Sequence, residues 1–437
     1  MLLERPSRRA RTLRSLVRTR RRICAEQKYL IRMSNVRIIA LLVLLVLSSG
    51  AIPLFPVTAA SPANALVSIT LTNSQSTSTS VPFQQRITFN PSTYSSNEAS
   101  DLGNIRFCSD SACATQLNAW LESCSPTCGT SATSATAWVK LDSSIPSNGG
   151  TLTIYMNFLS TSTDFDGLYW GEAPTLSATY GQHDNGAMVF PILYQNFGGS
   201  SCPSGWLCTN AKINNGIALP SNSSAVSTSA YGRNPAQILD FDATSLVASI
   251  SNQGPSFAGY TNAPPPTTNA VNSQNSVGFL GGIYGNNNYT GSITVNGAAR
   301  GSSVALKASG GIGTVYFPSS STASFSANYS QLVTLTSATP TSNLSIGFSD
   351  EQGGANYAGT QNYQWIRLRV YPPNGVMPSQ TTSSTTVSTT PEFPTVMVAF
   401  ILLAALVCSA VFTKRIKLQN RGQNYSVHFC KPILRLC

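Results

Sequence analysis

The chain has 437 residues, with 27 Lys and Arg against 16 Asp and Glu, a formal net charge of +11. Charged residues make up 10% and hydrophobic residues 42%. About 25% charged is usual for soluble domains, so this balance argues against both a disordered chain and an ordinary cytosolic enzyme. The basic charge lies at the ends: residues 1–37 carry +10, residues 414–437 carry +6 and the stretch between carries −5. A nucleic-acid-binding face needs its cations on the folded domain, so no nucleic-acid partner is expected.

Residues 1–37 form a basic N-terminal segment. Met33-Ser34-Asn35-Val36-Arg37 offers a compact start, and residues 1–32 then read as an over-extended gene model; a basic cytoplasmic tail is the alternative. Arg37, the apolar run Ile38 to Leu47 and then Ser48-Ser49-Gly50 have the layout of a secretory signal peptide over residues 38–65. Ala63-Asn64-Ala65 is the preferred cleavage site and Thr58-Ala59-Ala60 a rival. An uncleaved anchor reaching Ala60 would be interrupted by Pro53 and Pro56.

The body reads as strands. Leu66 to Leu71, Arg86 to Phe89, Thr151 to Met156, Ser292 to Val295 and Gln331 to Leu335 are short, β-branched and bounded by Gly, Pro, Asn or Ser. Asn296-Gly297 is a hairpin signal. In Gln364 to Tyr371, alternation puts Trp365, Arg367, Arg369 and Tyr371 on one face and Ile366, Leu368 and Val370 on the other. One helical patch is expected over Cys113–Leu121, where Ala114, Leu117 and Leu121 recur at spacings of three and four. The predicted class is all-β: two β-sandwich or jelly-roll domains, residues 66–178 and 179–375, outside a membrane. Residues 254–278 read as a long loop.

Residues 376–395, rich in Ser and Thr, read as an extended stalk. Val396 to Phe412 carries no charge and precedes Lys414, Arg415 and Lys417. Seventeen residues at 1.5 Å each span roughly 26 Å, and the preceding residues complete a crossing of about 30 Å. Residues 396–413 are therefore expected to be a transmembrane helix with membrane lipid as partner, and 414–437 a cytoplasmic tail.

Six cysteines lie in the body as close couples: Cys108 and Cys113, Cys124 and Cys128, Cys202 and Cys208. In an exported domain an even number reads as disulfides. Local pairing is the simplest of fifteen connectivities, and a zinc site among the four cysteines from 108 to 128 is the competing reading. Sequons at Asn222, Asn288, Asn328 and Asn343 predict surface glycans on an exported chain.

Asn118-Ala119-Trp120-Leu121-Glu122, Ala137-Trp138-Val139-Lys140-Leu141 and Thr153-Ile154-Tyr155-Met156-Asn157-Phe158 resemble a surface-protein domain of unknown function, with its W-x-E, W-V-K-L and I-Y-M elements. Phe158-Leu159 stands where that pattern has a glycine. In that family the module often precedes a concanavalin-like jelly roll. Tyr180 to Gly186, Tyr194 to Gly199 and Tyr363 to Arg369 resemble the joining and closing segments of such two-module archaeal proteins. Pro391-Glu392-Phe393-Pro394 before the apolar run resembles an archaeal C-terminal sorting signal, which implies cutting at the motif and lipid attachment. Twenty residues follow the basic cluster, where such signals usually stop.

Chemistry-bearing residues are sparse. His183 is the body's one histidine and has no G-x-S-x-G elbow, so a turn histidine is expected. Asp164, Asp166 and Asp184 could ligate a structural Ca²⁺, against solvated turn carboxylates; no other cofactor is expected. Asp240 and Asp242 share a strand face and could serve glycoside hydrolysis, against surface acids. Tyr169, Trp170, Trp206, Tyr260, Tyr284 and Tyr289 lie in Gly- or Asn-rich sequence and could stack on sugar rings, whereas Trp120, Trp138 and Trp365 read as core. The favoured reading is a non-catalytic, membrane-anchored surface protein that binds a glycan or envelope partner. A purely structural envelope or adhesion component is the alternative, and a glycoside-active enzyme the weaker one.

Overall fold

Alternating apolar residues dictate strands throughout. In Ala65–Asn73 every second residue is buried, and Val67, Ile69 and Leu71 are fully enclosed. The computed structural model describes residues 65–220, 222–242, 256–262, 275–281, 288–300, 305–307, 311–350, 360–383 and 386–387. The basic head, the signal segment before Ala65, Tyr284, the motif Pro391 to Pro394, the apolar run 396–413 and the tail lie outside them. Among the described residues, no helix is long and apolar enough to cross a membrane.

The first sandwich packs two sheets over one core. One sheet runs in the order Ser379–Thr382, Ala65–Asn73, Gly150–Phe158, Ile105–Cys108, Gln116–Leu117, with Thr386–Val387 also pairing to Ala65–Asn73. The other runs Phe83–Phe89, Ser134–Leu141, Ala119–Ser125, Trp170–Glu172, its last pair parallel. Leu71, Phe83, Phe107, Leu121, Val139 and Met156 are in its core.

The second sandwich packs an eight-stranded sheet, from Trp206–Thr209 to Ala298–Arg300, against a six-stranded one. The six-stranded order is Ser330–Thr336, Thr322–Ala327, Ile312–Ser319, Gln237–Asp242, Ile366–Val370, Leu193–Gln195. Leu239, Phe241, Phe279, Phe325, Phe348 and Leu368 fill the core between them. Both sandwiches belong to one compact unit.

Three expectations are corrected. The helical patch at Cys113–Leu121 is two strands, Gln116–Leu117 and Ala119–Ser125. Asp110 accepts from the backbone nitrogens of Ala112, Ala114 and Thr115, which folds the chain into a turn there. Leu117 and Leu121 point into the sandwich core, so their spacing reflects burial of strands rather than a helix stripe. Residues 254–278 are not one loop, because Ser256–Thr261 and Asn275–Gly281 pair in antiparallel register with Gly259 opposite Gly278. The expected stalk begins inside the first sandwich: Ser379–Thr382 completes its sheet, and Gln380 bridges to Thr88 by accepting from its N–H at 2.9 Å. Thr-rich segments suit strands, and an otherwise open edge supplies the partner.

The six body cysteines form Cys108–Cys113, Cys124–Cys128 and Cys202–Cys208. These are the three local pairs, so the zinc reading for Cys108 to Cys128 is set aside.

Candidate functional site

Four strands are buried on both faces, two from each sandwich. Ala119 and Leu121 enter the first core, while Trp120 and Glu122 point the other way. On the neighbouring strand Val139 faces that core and Trp138 does not. In the second sandwich Ile366 and Leu368 face its core, as do Leu239 and Phe241. Arg367 and Asp240 alternate with them and face the first sandwich. The period of two thus carries each apolar set inward and presents Trp120, Glu122, Trp138, Asp240, Trp365 and Arg367 to one shared seam.

Arg367 is at its centre, with no exposed surface. Its Nη2 donates to Glu122 Oε2 at 2.6 Å and its Nε to Asp240 Oδ2 at 3.1 Å. Arg369 Nε donates to the same Asp240 oxygen at 2.8 Å, and Thr314 Oγ1 donates to Oδ1 at 2.8 Å. Tyr329 donates to Glu122 Oε2, and Trp138 Nε1 donates to it at 2.7 Å. Aromatic faces enclose the guanidinium: the centroids of Trp138, Phe190, Trp365 and Trp120 lie 4.4, 4.5, 4.7 and 5.2 Å from its Cζ. Such contacts gain strength when desolvated. Burial alone would raise the Asp240 pKa, but the charges of Arg369 and Arg367 and the hydrogen bonds from Arg369 and Thr314 hold it below its ordinary value. Burial opposes the Arg367 charge, and Tyr329, Glu122 and Asp240 more than restore it.

A third, half-buried carboxylate braces the seam. Asp184 accepts from Trp120 Nε1 at 2.9 Å, Gly186 N at 3.0 Å, the Tyr194 hydroxyl at 2.8 Å and Asn196 Nδ2 at 2.7 Å. Burial raises its pKa, and these donors offset part of the rise. Gly186 is required by close approach: a Cβ there would lie 2.3 Å from Cζ of the Tyr194 ring. Gly186→Ala should cost about 1–3 kcal/mol, the range for overpacking, as a lower denaturant midpoint with an unchanged slope.

At the edge of the seam a cleft of about 310 Å³ opens to solvent. Arg86, Trp138, Thr314, Tyr316, Tyr329 and Arg369 line it, with the turn around Gly375 as a wall. Arg86 comes from the first sandwich, and its Cζ sits 4.6 Å over the Tyr329 ring of the second. A second hollow of about 340 Å³ beside Lys212, Asn214, Tyr363 and Gln364 carries fewer aromatic faces.

Several residues singled out from sequence are elsewhere. Trp170, Trp206 and Tyr260 are core residues, not stacking platforms. Trp170 donates to Leu102 O at 2.8 Å and lies against Phe165, Trp206 meets Phe197, and Tyr260 packs edge-on to Phe317. Gly167 and Gly205 mark turns shortly before Trp170 and Trp206, whereas Gly259 beside Tyr260 sits within a strand opposite Gly278. Tyr169 is 37% exposed, and Tyr289 lies in the strand Asn288–Val295.

Asp164, Asp166 and Asp184 are not brought together. Asp166 Oδ1 accepts from the backbone nitrogens of Leu168, Tyr169 and Trp170, each at 2.9 Å, and its Oδ2 pairs with Arg106 at 3.1 Å. Among the described residues, no group of three His, Cys, Asp or Glu could hold a metal ion. His183 stacks on Phe165. Asp240 is held ionised under two arginines, which leaves it no proton to give a leaving group, and the surface-acid reading also fails since both Asp240 and Asp242 are buried. Asn222 and Asn328 are exposed, and Asn343 accepts from the backbone nitrogens of Arg233 and Asn234.

Glu122 and Tyr329 were missed as partners of Arg367. The usable signal was arginine or glutamate alternating with apolar residues in strands that otherwise read as buried.

No family model matches the chain. Over 362 residues it is 29% identical to Uncharacterized protein 562 of Sulfolobus islandicus rod-shaped virus 1, covering 76% of this chain. The chain spans 60% of the length of that curated relative. Among solved structures it is similar to a prokaryotic β-1,3-1,4-glucanase (lichenase) derived from a mouse hindgut metagenome, with TM-score 0.32 and 10% identity over 41% of this chain and 98% of that one. It is also similar to the Bacillus licheniformis β-glucanase, with TM-score 0.31 and 12% identity over 40% of this chain and 97% of that one. The carbohydrate recognition domain of Emp47p gives TM-score 0.32 and 12% identity over 38% and 89%. These neighbours are jelly rolls of the glucanase and lectin type.

Proposed function

We propose that the chain is an exported, membrane-tethered surface protein whose fused sandwiches form a rigid, non-catalytic, carbohydrate-binding head. The observation that carries this reading is the seam cleft. Its volume of about 310 Å³ falls within the range of small-ligand pockets, and Tyr316 and Tyr329 offer ring faces beside the hydroxyls of Thr314 and Ser326. Flat apolar rings flanked by hydrogen-bonding groups suit the two-faced chemistry of a sugar. Three disulfides favour an oxidising compartment. The run 396–413 supplies the tether, and Pro391 to Pro394 a sorting motif before it.

A glycan array probed with the full chain in detergent tests the head. Binding to a defined sugar class, lost in Tyr316→Ala, is the expected result. An empty array, together with crosslinks only to copies of the chain or to envelope neighbours, would favour a structural component instead.

A further inference from the structure

The ion-paired charges of the seam balance without Arg86. Glu122 and Asp240 face Arg367 and Arg369, two carboxylates against two guanidiniums. Arg86 has no carboxylate partner among the described residues; its guanidinium rests only on the Tyr329 ring. Arg369 spends its Nε on Asp240, and its two terminal nitrogens have no hydrogen-bond partner among the described residues. Both arginines line the cleft, and no Asp or Glu lines it. This positive spot stands on a body whose charge is otherwise net negative.

The rest of the site fits the same ligand. Trp138 lies 5.1 Å from the Arg369 Cζ, which keeps that guanidinium flat against the floor. Tyr316 and Tyr329 flank the pair. Arginine's planar fork matches carboxylate and sulfate oxygens with two parallel hydrogen bonds, and partial burial weakens competition from water.

We infer that the cleft takes an anionic sugar, its carboxylate or sulfate received by Arg86 and Arg369 while its ring lies against Tyr316 and Tyr329. This rests on the carbohydrate reading above and narrows it to acidic glycans. Two arginines contributed by different sandwiches would also make binding depend on the intact seam.

The test is calorimetric titration of the full chain with three oligosaccharide sets: neutral glucans, uronate oligomers and sulfated galactans. Uronate or sulfated oligomers should bind at least about tenfold more tightly than neutral ones, and which of the two binds identifies the anion. Arg86→Gln should remove that preference, as should NaCl at about 0.5 M. The Arg86 side chain is half-exposed, so the variant should keep its denaturation midpoint, measured alongside. Neutral sugars binding as tightly as acidic ones, or an unchanged preference in Arg86→Gln, would overturn the anionic-sugar inference and leave the carbohydrate reading standing. No binding in any of the three sets would overturn both.

Discussion

Replacing Arg367 with methionine should lower the unfolding free energy by about 3–5 kcal/mol, the cost of leaving a buried ion pair without one partner. The loss is large because Arg367 bridges carboxylates from both sandwiches: Glu122 at 2.6 Å and Asp240 at 3.1 Å. Arg369 still neutralises Asp240, so the orphaned charge is mainly Glu122. Guanidinium denaturation followed by tryptophan fluorescence measures the loss, since Trp120, Trp138 and Trp365 all lie within the seam. The native chain should unfold in one transition, and the variant in two as the sandwiches lose their common clamp. Adding Glu122→Gln to Arg367→Met should recover part of the loss, because a neutral pair no longer buries a lone charge. A single-variant loss under about 1 kcal/mol would mean that the aromatic packing alone joins the sandwiches.

Stability should fall as pH rises from the acid range to about 8, through Glu98. Its side chain is 4% exposed, and both carboxyl oxygens lack a hydrogen-bond partner among the described residues. Burial without a compensating cation pushes its pKa from 4.5 up to about 8. The neighbouring Tyr94 hydroxyl is raised as well, by burial and then by Glu98. Between the two values the folded chain keeps a proton that the unfolded chain has lost. The stabilisation is therefore complete below pH 4.5 and is lost as pH rises toward 8. After a discount for partial solvent screening, the change is on the order of 2–3 kcal/mol. Glu98→Gln should flatten this profile and raise the denaturation midpoint at about pH 8. A variant with the native pH dependence would place the titration elsewhere.

The strands and the enclosure of Trp120, Trp138 and Trp365 were legible because alternation is a local signal. The Arg367 face was legible too, since Trp365, Arg367 and Arg369 fall on one side of a strand by counting alone. What covers that face was not legible. Glu122 lies 245 residues before Arg367, and no local rule joins two charges across that distance. Asp240 illustrates the limit: paired acids on a strand suggest a surface or a hydrolase, and only tertiary packing shows Arg367 and Arg369 closing over one of them. The aromatics failed for a related reason. Trp206 and Tyr260 stand among small and polar residues, yet a turn delivers the first ring into the core and strand alternation the second.

The return of Ser379–Thr382 and Thr386–Val387 to the first strand has a mechanical consequence. Val387 lies opposite Ala65, and Ser379 lies deeper, opposite Thr72. Chain entry and chain exit therefore share one corner of the head. Tension applied beyond Val387 would peel that terminal ribbon, rupturing the rungs at Ala65 and Leu66 first.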